Sequence, residues 1–371
     1  MGAACGASIV VTTSVVHPPS LEESHLDATI ARNRRFLSDL FAGPFRGHAI
    51  IMDPEPHPQP FPGDFAVSDE PLAEWLPSIL RHYEAQLQLL EALGHDAVPT
   101  ARLGTGTGLF ASAFGCPVHI YPDSPAAARP LVFSADEADR LAAPTLDTPA
   151  LARVFEMGEM VRARLGPDVP ISVPDIQSAF DIAALVWNKE DFYVAAMQQP
   201  DSVKRLVDKC QALLMLFFAE FKRRFTSVNL CHCPNAWAPP ELGVWLSEDE
   251  AGSMSVRMFE EFCLPNLNDL SDTFGGLFVH CCAAADHQYA SFKKIRNLRG
   301  LNRVFQSPGA RPAIEAFSGQ AVLMMAWIDE ATANALLDMA LPDTRFLFNM
   351  PAQPLDDARR TYERLRLRCQ R

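Results

Sequence analysis

Apolar residues along this chain recur in two alternating rhythms. Over residues 26–42 they return every three or four positions, with Arg32, Arg34 and Arg35 on the opposite side, which predicts an amphipathic helix. Residues 47–53, Gly-His-Ala-Ile-Ile-Met-Asp, are instead a short apolar run ending on a carboxylate, the pattern of a buried strand. Five prolines among the nine residues 54–62 exclude regular structure there and predict a stiff surface loop. A second amphipathic helix, 76–93, closes at Gly94, and 97–103 reads as the next strand. Gly104-Thr105-Gly106-Thr107-Gly108 then reads as a flexible tight turn, or else as a phosphate- or carboxylate-binding turn at a helix start; the first is favoured because its spacing matches neither the dinucleotide fingerprint nor the P-loop.

The alternation continues to the end of the sequence. Strands are predicted at 170–174, 228–232, 243–246, 277–282, 300–305, 321–327 and 345–349, and helices at 151–165, 203–225, 256–274, 313–317, 330–339 and 355–367. Short apolar strands separated by helices predict a parallel sheet, and about eight such units predict closure into a (β/α)8 TIM barrel. At 371 residues the chain exceeds the ~150 of an average domain, but such barrels run to ~250 residues and beyond as single domains. Residues 25–371 are therefore expected to form one barrel, preceded by a leader, 1–24, of unclear structure.

In such a barrel the functional side chains lie at the carboxyl ends of strands. Asp53, Asp175, Glu248 with Asp249 and Glu250, His280 with Cys282, and Asn349 all fall there. If 277–282 is extended, His280 and Cys282 share one face while Val279 and Cys281 point the other way. Imidazole and thiolate together suit zinc, and further ligands would come from Cys231 and Cys233, themselves at strand spacing, or from an oxygen of Glu248 or Asp249. The same residues also fit two buried strand ends whose cysteines serve as small hydrophobes. Trp187, Trp237 and Trp245 are expected on the walls or rim of the cleft. Trp237 stands between Cys-Pro-Asn and Ala-Pro-Pro, where a large ring either covers a ligand or pins the loop to the barrel.

Composition narrows the partners. Only 21% of residues are charged, the net charge is −13 and no basic stripe occurs, which argues against nucleic acid. No apolar run reaches the ~20 residues of a membrane span. The start, Met1-Gly2-Ala3-Ala4-Cys5-Gly6, has no basic segment of a secretory signal, so a cytoplasmic location is expected. Nine cysteines, the closest pairs being Cys231 with Cys233 and Cys281 with Cys282, suit metal or redox chemistry better than a disulfide framework.

One long segment resembles a known family. Residues 244–255, Val-Trp-Leu-Ser-Glu-Asp-Glu-Ala-Gly-Ser-Met-Ser, then Phe259-Glu260-Glu261-Phe262, Pro265 and the strand into His280-Cys281-Cys282, resemble the uroporphyrinogen decarboxylase superfamily. Upstream, Ala113-Phe114-Gly115-Cys116, the helix start Ile176-Gln177-Ser178-Ala179 and Pro200-Asp201 extend the likeness over roughly residues 100–365. The resemblance implies a distorted TIM barrel with a deep cleft. The Arg-rich signature of true decarboxylases is missing around Met52-Asp53-Pro54, so a substrate with many carboxylates is poorly provided for. The likeness therefore points to the zinc-dependent methyltransferase branch, which passes a methyl group between a small substrate or thiol and a corrinoid (cobalamin) carried by a partner protein.

That branch implies His280 and Cys282 as the first two metal ligands, with a third Cys expected near Phe348-Asn349-Met350. None stands there, and Cys369 lies beyond the next helix. Cys231 and Cys233 are the candidate replacements. Glu248, Asp249 and Asp175 are read as catalytic, and Asp53, Gln177, Trp237 and Asn349 as substrate-binding. The alternatives are a decarboxylase of a small acid, with Asp53 or Asp175 stabilising a cationic intermediate, and a catalytically silent binding barrel.

Overall fold

Among the described residues, nine short strand segments pair in parallel: β1 (Ala49–Met52), β2 (Ala101–Arg102), β3 (Ile171–Ser172), β4 (Val228–Asn229), β5 (Val244–Ser247), β6 (Leu277–Cys281), β7 (Leu298–Arg303), β8 (Val322–Met325) and β9 (Phe346–Met350). The computed structural model describes residues 21–56, 59–121, 126–303, 305 and 309–369. Most of the expected leader, residues 1–20, lies outside them, and the first helix, Leu21–Ala42, begins directly after.

One sheet runs β1-β9-β8-β7-β6-β5 and a second runs β2-β3-β4. They join just past β3, where Ser247 N donates to Ile176 O at 2.8 Å and Ser178 N donates to Ser247 O at 2.7 Å. On the other side, side chains stand in for a ladder between β1 and the segment leading to β2. Ile50 N donates to Asp96 Oδ2 at 2.9 Å and Met52 N to His95 Nδ1 at 3.1 Å. The buried backbone groups that a ladder would satisfy are thus satisfied another way. The wall is the expected TIM-type barrel, with a small antiparallel hairpin, Val118–His119 with Ala127–Ala128, added outside it.

Alternation along the strands separates two apolar layers. Ile50, Leu246, Val279, Cys281, Leu301, Leu323 and Phe348 belong to the layer packed against the helices. Ala49, Ile51, Trp245, Phe278, Val322, Met324 and Leu347 fill the barrel instead. Leu37, Leu40 and Phe41 of the first helix join this inner cluster, with the Phe41 ring edge-on to Phe278 at 5.2 Å. The inward positions then turn polar, and Ser247, His280 and Asn302 stand side by side in register on β5, β6 and β7.

Two expectations are corrected here. Trp237 and Trp245 lie in the inner core and Trp187 packs outside the wall against Phe192, so none of the three walls the mouth, and Trp237 borders only a void of about 10 Å³. The loop after β4 dips into the barrel, where Trp237 is 7% exposed with the Arg34 guanidinium 5.9 Å from its ring, so it pins the loop. The helix expected over 256–274 is two, Val256–Phe262 and Leu264–Phe274, with Pro265 in the first turn of the second, where its missing N–H costs nothing. No helix among the described residues is long and apolar enough to cross a membrane.

Packing outside the wall gives a direct test. Gly158 lies within the helix Pro149–Leu165, and a Cβ there would overlap the buried Phe225 ring, which is packed on Phe221 at 4.8 Å. Gly→Ala inside a helix normally gains up to ~1 kcal/mol, but overpacking costs about 1–3 kcal/mol, so the contact decides the sign. Gly158→Ala should lower the urea midpoint of unfolding; an unchanged or higher midpoint would show that the ring moves aside freely.

Candidate metal centre

His280 and Cys282 meet at the carboxyl end of β6 with Nε2 and Sγ 3.0 Å apart. The other ring nitrogen, Nδ1, is 2.5 Å from Asn302 Oδ1, and Asn302 Nδ2 donates to Met324 O at 2.5 Å. Because the amide nitrogen is committed to that carbonyl, Asn302 presents its oxygen to the imidazole. This assigns the proton to Nδ1 and leaves the Nε2 lone pair facing the thiol side.

A third donor comes from the loop after β5. Asp249 Oδ1 accepts from Cys282 N at 2.6 Å, and the buried Asp181 holds that loop by accepting from Asp249 N at 2.6 Å and Glu250 N at 3.1 Å. One ligand atom each from Asp249, His280 and Cys282 lie within 4.8 Å of one another. Nitrogen, sulfur and oxygen from three side chains, with Cys282 open to solvent, fit a catalytic zinc that keeps a position for substrate. Desolvation and the Asp249 carboxylate push the Cys282 thiol up to about 12, a burden that a divalent cation at this spot would relieve.

The remaining predicted residues divide between this centre, the mouth and the core. Cys233 Sγ is 3.7 Å from Asn302 Oδ1, which places it on the same wall, and burial pushes its thiol up to about 12. Cys231 belongs to the inner core, with Sγ donating to Pro234 O at 3.4 Å, and is not brought to the trio. Glu248 is also turned away. It follows the inward-facing Ser247, so strand alternation sends it outward, where it is fully buried beside Ser178, Asp181 and Cys263. Burial raises its carboxyl to about 7, and Asp181 is raised for the same reason. Glu248 therefore lies behind the loop, and Asp249 is the carboxylate that faces Cys282.

At the mouth, Asp53 Oδ1 accepts from Asn349 Nδ2 at 2.9 Å. Asp175 Oδ1 accepts from Gln177 Nε2 at 3.0 Å and lies 3.7 Å from His232 Nδ1. Burial raises both carboxyls, and the charge of Arg102 opposes the rise at each. Arg102 was not singled out by sequence, although a lone Arg on a strand leading into a glycine-rich turn was the available signal.

Two cavities meet at Arg102 and His82. One of about 500 Å³ is lined by Asp64, Trp75 and the Gly104-Thr105-Gly106 turn, and one of about 170 Å³ by Asp53, His232, Cys233 and Trp327. The turn has an internal anion, since Gly106 N donates to Asp64 Oδ2 at 2.8 Å.

Comparison with known proteins follows the same line. The uroporphyrinogen decarboxylase (URO-D) family pattern matches residues 81–224. That segment carries β2, β3 and the surrounding helices but stops short of the His280 strand. No curated protein sequence matches the chain. Among solved structures, a methyltransferase from Methanosarcina mazei is similar, with 16% identity and a TM-score of 0.60 over 90% of this chain and 98% of the other.

Proposed function

Starting from the uroporphyrinogen decarboxylase superfamily, whose pattern and barrel this chain shares, we propose that the protein is a zinc-assisted methyltransferase. The methyl group would pass between a small substrate or thiol and a corrinoid (cobalamin) carried by a partner protein. The observation that carries the reading is the convergence of Asp249, His280 and Cys282 on one open rim.

When bound, zinc would lower the pKa of a thiol or hydroxyl acceptor so that it attacks as an anion at neutral pH. The chain's own residues supply orientation and proton handling. Asn302 keeps the imidazole proton on Nδ1, and Asp181 fixes the backbone from which Asp249 projects. Asp175, half-buried at the mouth near His232, is the carboxylate to which we assign the acceptor's proton. Decarboxylation of an acid is less well served, because the cation at the mouth, Arg102, already acts on both Asp53 and Asp175.

The test is demethylation of methylcobalamin by zinc-loaded protein with a panel of thiols and alcohols, followed by the change in corrinoid absorbance. Turnover that requires zinc and is lost in Cys282→Ser is the expected result. No demethylation with any acceptor, or demethylation that runs equally fast without zinc or without an added acceptor, would remove the methyl-transfer reading.

A further inference from the structure

We propose that Trp327 is the aromatic wall of a subsite for a small organic cation of the quaternary-ammonium or sulfonium class at the mouth of the barrel. The inference deepens the methyl-transfer reading, on which only the cation's role as methyl donor rests; the subsite stands on other observations.

The first is exposure. Of the five tryptophans, four are 7% exposed or less, whereas Trp327 is 60% exposed. It follows β8 at the carboxyl end of the barrel and lines the cavity of about 170 Å³ with Asp53, Arg102, His232 and Cys233. That volume equals roughly five or six waters, enough for a trimethylammonium head.

The second is backbone conformation. Trp327 has φ +53°, a left-handed value that bulky residues rarely adopt, and Ile328 N donates to Asn349 O at 3.3 Å directly after it. A strained backbone that presents a large ring to solvent has no packing rationale, since the ring fills no core.

The third is charge. Asp53 and Asp175 both interact with Arg102, so its guanidinium is already shared between two carboxyl groups. An anion approaching Arg102 competes with the carboxyl groups already paired with it, whereas a cation in this cavity meets Asp53 and the face of the indole. Trp is the best of the aromatic side chains for such a contact.

The experiment is calorimetric titration of the full chain, with and without zinc, using choline and its uncharged carbon isostere 3,3-dimethylbutan-1-ol. Choline should bind wild type. Binding should weaken roughly 5- to 30-fold in Trp327→Leu, less in Trp327→Phe, and also weaken in Asp53→Asn. The isostere should bind worse than choline by a similar factor. The melting temperature of Trp327→Leu should not fall, which separates a lost contact from a lost fold. Equal binding of choline and its isostere, undiminished binding by Trp327→Leu, or no choline binding at all would each overturn the proposal. Because the titration needs neither turnover nor metal, choline binding without any methyl transfer would leave the subsite standing and remove only the donor role.

Discussion

His280→Ala should abolish stoichiometric zinc in protein purified without chelators, and Cys282→Ala should do the same. Structural zinc sites with four ligands bind with roughly 10–16 kcal/mol near pH 7, about 2.5–4 kcal/mol per ligand if shared equally. Loss of one ligand from a site of three then costs two to three orders of magnitude in affinity, on the order of 1.4 kcal/mol per tenfold. Asn302→Ala removes no donor but frees the imidazole that Asn302 holds, and should weaken zinc by about 10- to 100-fold. The sign with pH is fixed by proton competition. Cys282 must lose a proton to bind, and its thiol is pushed up to about 12 without a metal, so affinity should fall as pH drops. Elemental analysis and competition with a chromophoric chelator measure all of this. Wild-type protein holding well under one zinc per chain, with no change in His280→Ala, would end the metal reading and leave the barrel.

Glu248→Gln should make the protein more stable at pH 8 and leave its stability at pH 4 nearly unchanged. Burial raises the Glu248 carboxyl from 4.5 to about 7, so between these values the folded state holds a proton that the unfolded state has released. The stabilisation is complete below pH 4.5 and is lost as pH rises to about 7. Above that, the ionised carboxylate beside Asp181 costs about 3 kcal/mol, at ~1.4 kcal/mol per pH unit. Gln keeps the shape and cannot ionise. Urea unfolding of both proteins from pH 4 to 8 should therefore show a gap that opens with pH in favour of the variant. A gap that is constant with pH would mean that Glu248 titrates normally in the folded state.

Much of the barrel was written in the two hydrophobic periods, and so was the pairing of His280 with Cys282. A strand flanked by apolar residues obeys strict alternation, and Val279 and Cys281 face the helices as that alternation requires. The reading lost its grip where strands end. Within Glu248-Asp249-Glu250 nothing local distinguishes the carboxylate that continues the outward face from the one that curls back to Cys282 N. The tryptophans failed for a related reason. A proline-rich segment signals a loop, but whether the loop covers the mouth or dips into the barrel depends on space left by β1, β5 and β9, which no local pattern records. Trp327 carries no sequence mark at all, because its positive φ appears only once β8 and β9 are placed.

The first helix has a consequence for the order of events. Leu37, Leu40 and Phe41 sit in the inner core against Ala49, Ile51 and Phe278, so the amino end of the barrel is stoppered. Among the described residues the interior is packed at that end and turns polar only toward the carboxyl ends of the strands, where the site is reached. In the proposed methyl transfer, donor and acceptor would both reach the site through this mouth, and a docked corrinoid protein would close it over an acceptor already bound. Acceptor would enter before such a partner docks, an ordered sequence in which both are bound when the methyl group moves, so steady-state kinetics in donor and acceptor should give intersecting rather than parallel double-reciprocal lines.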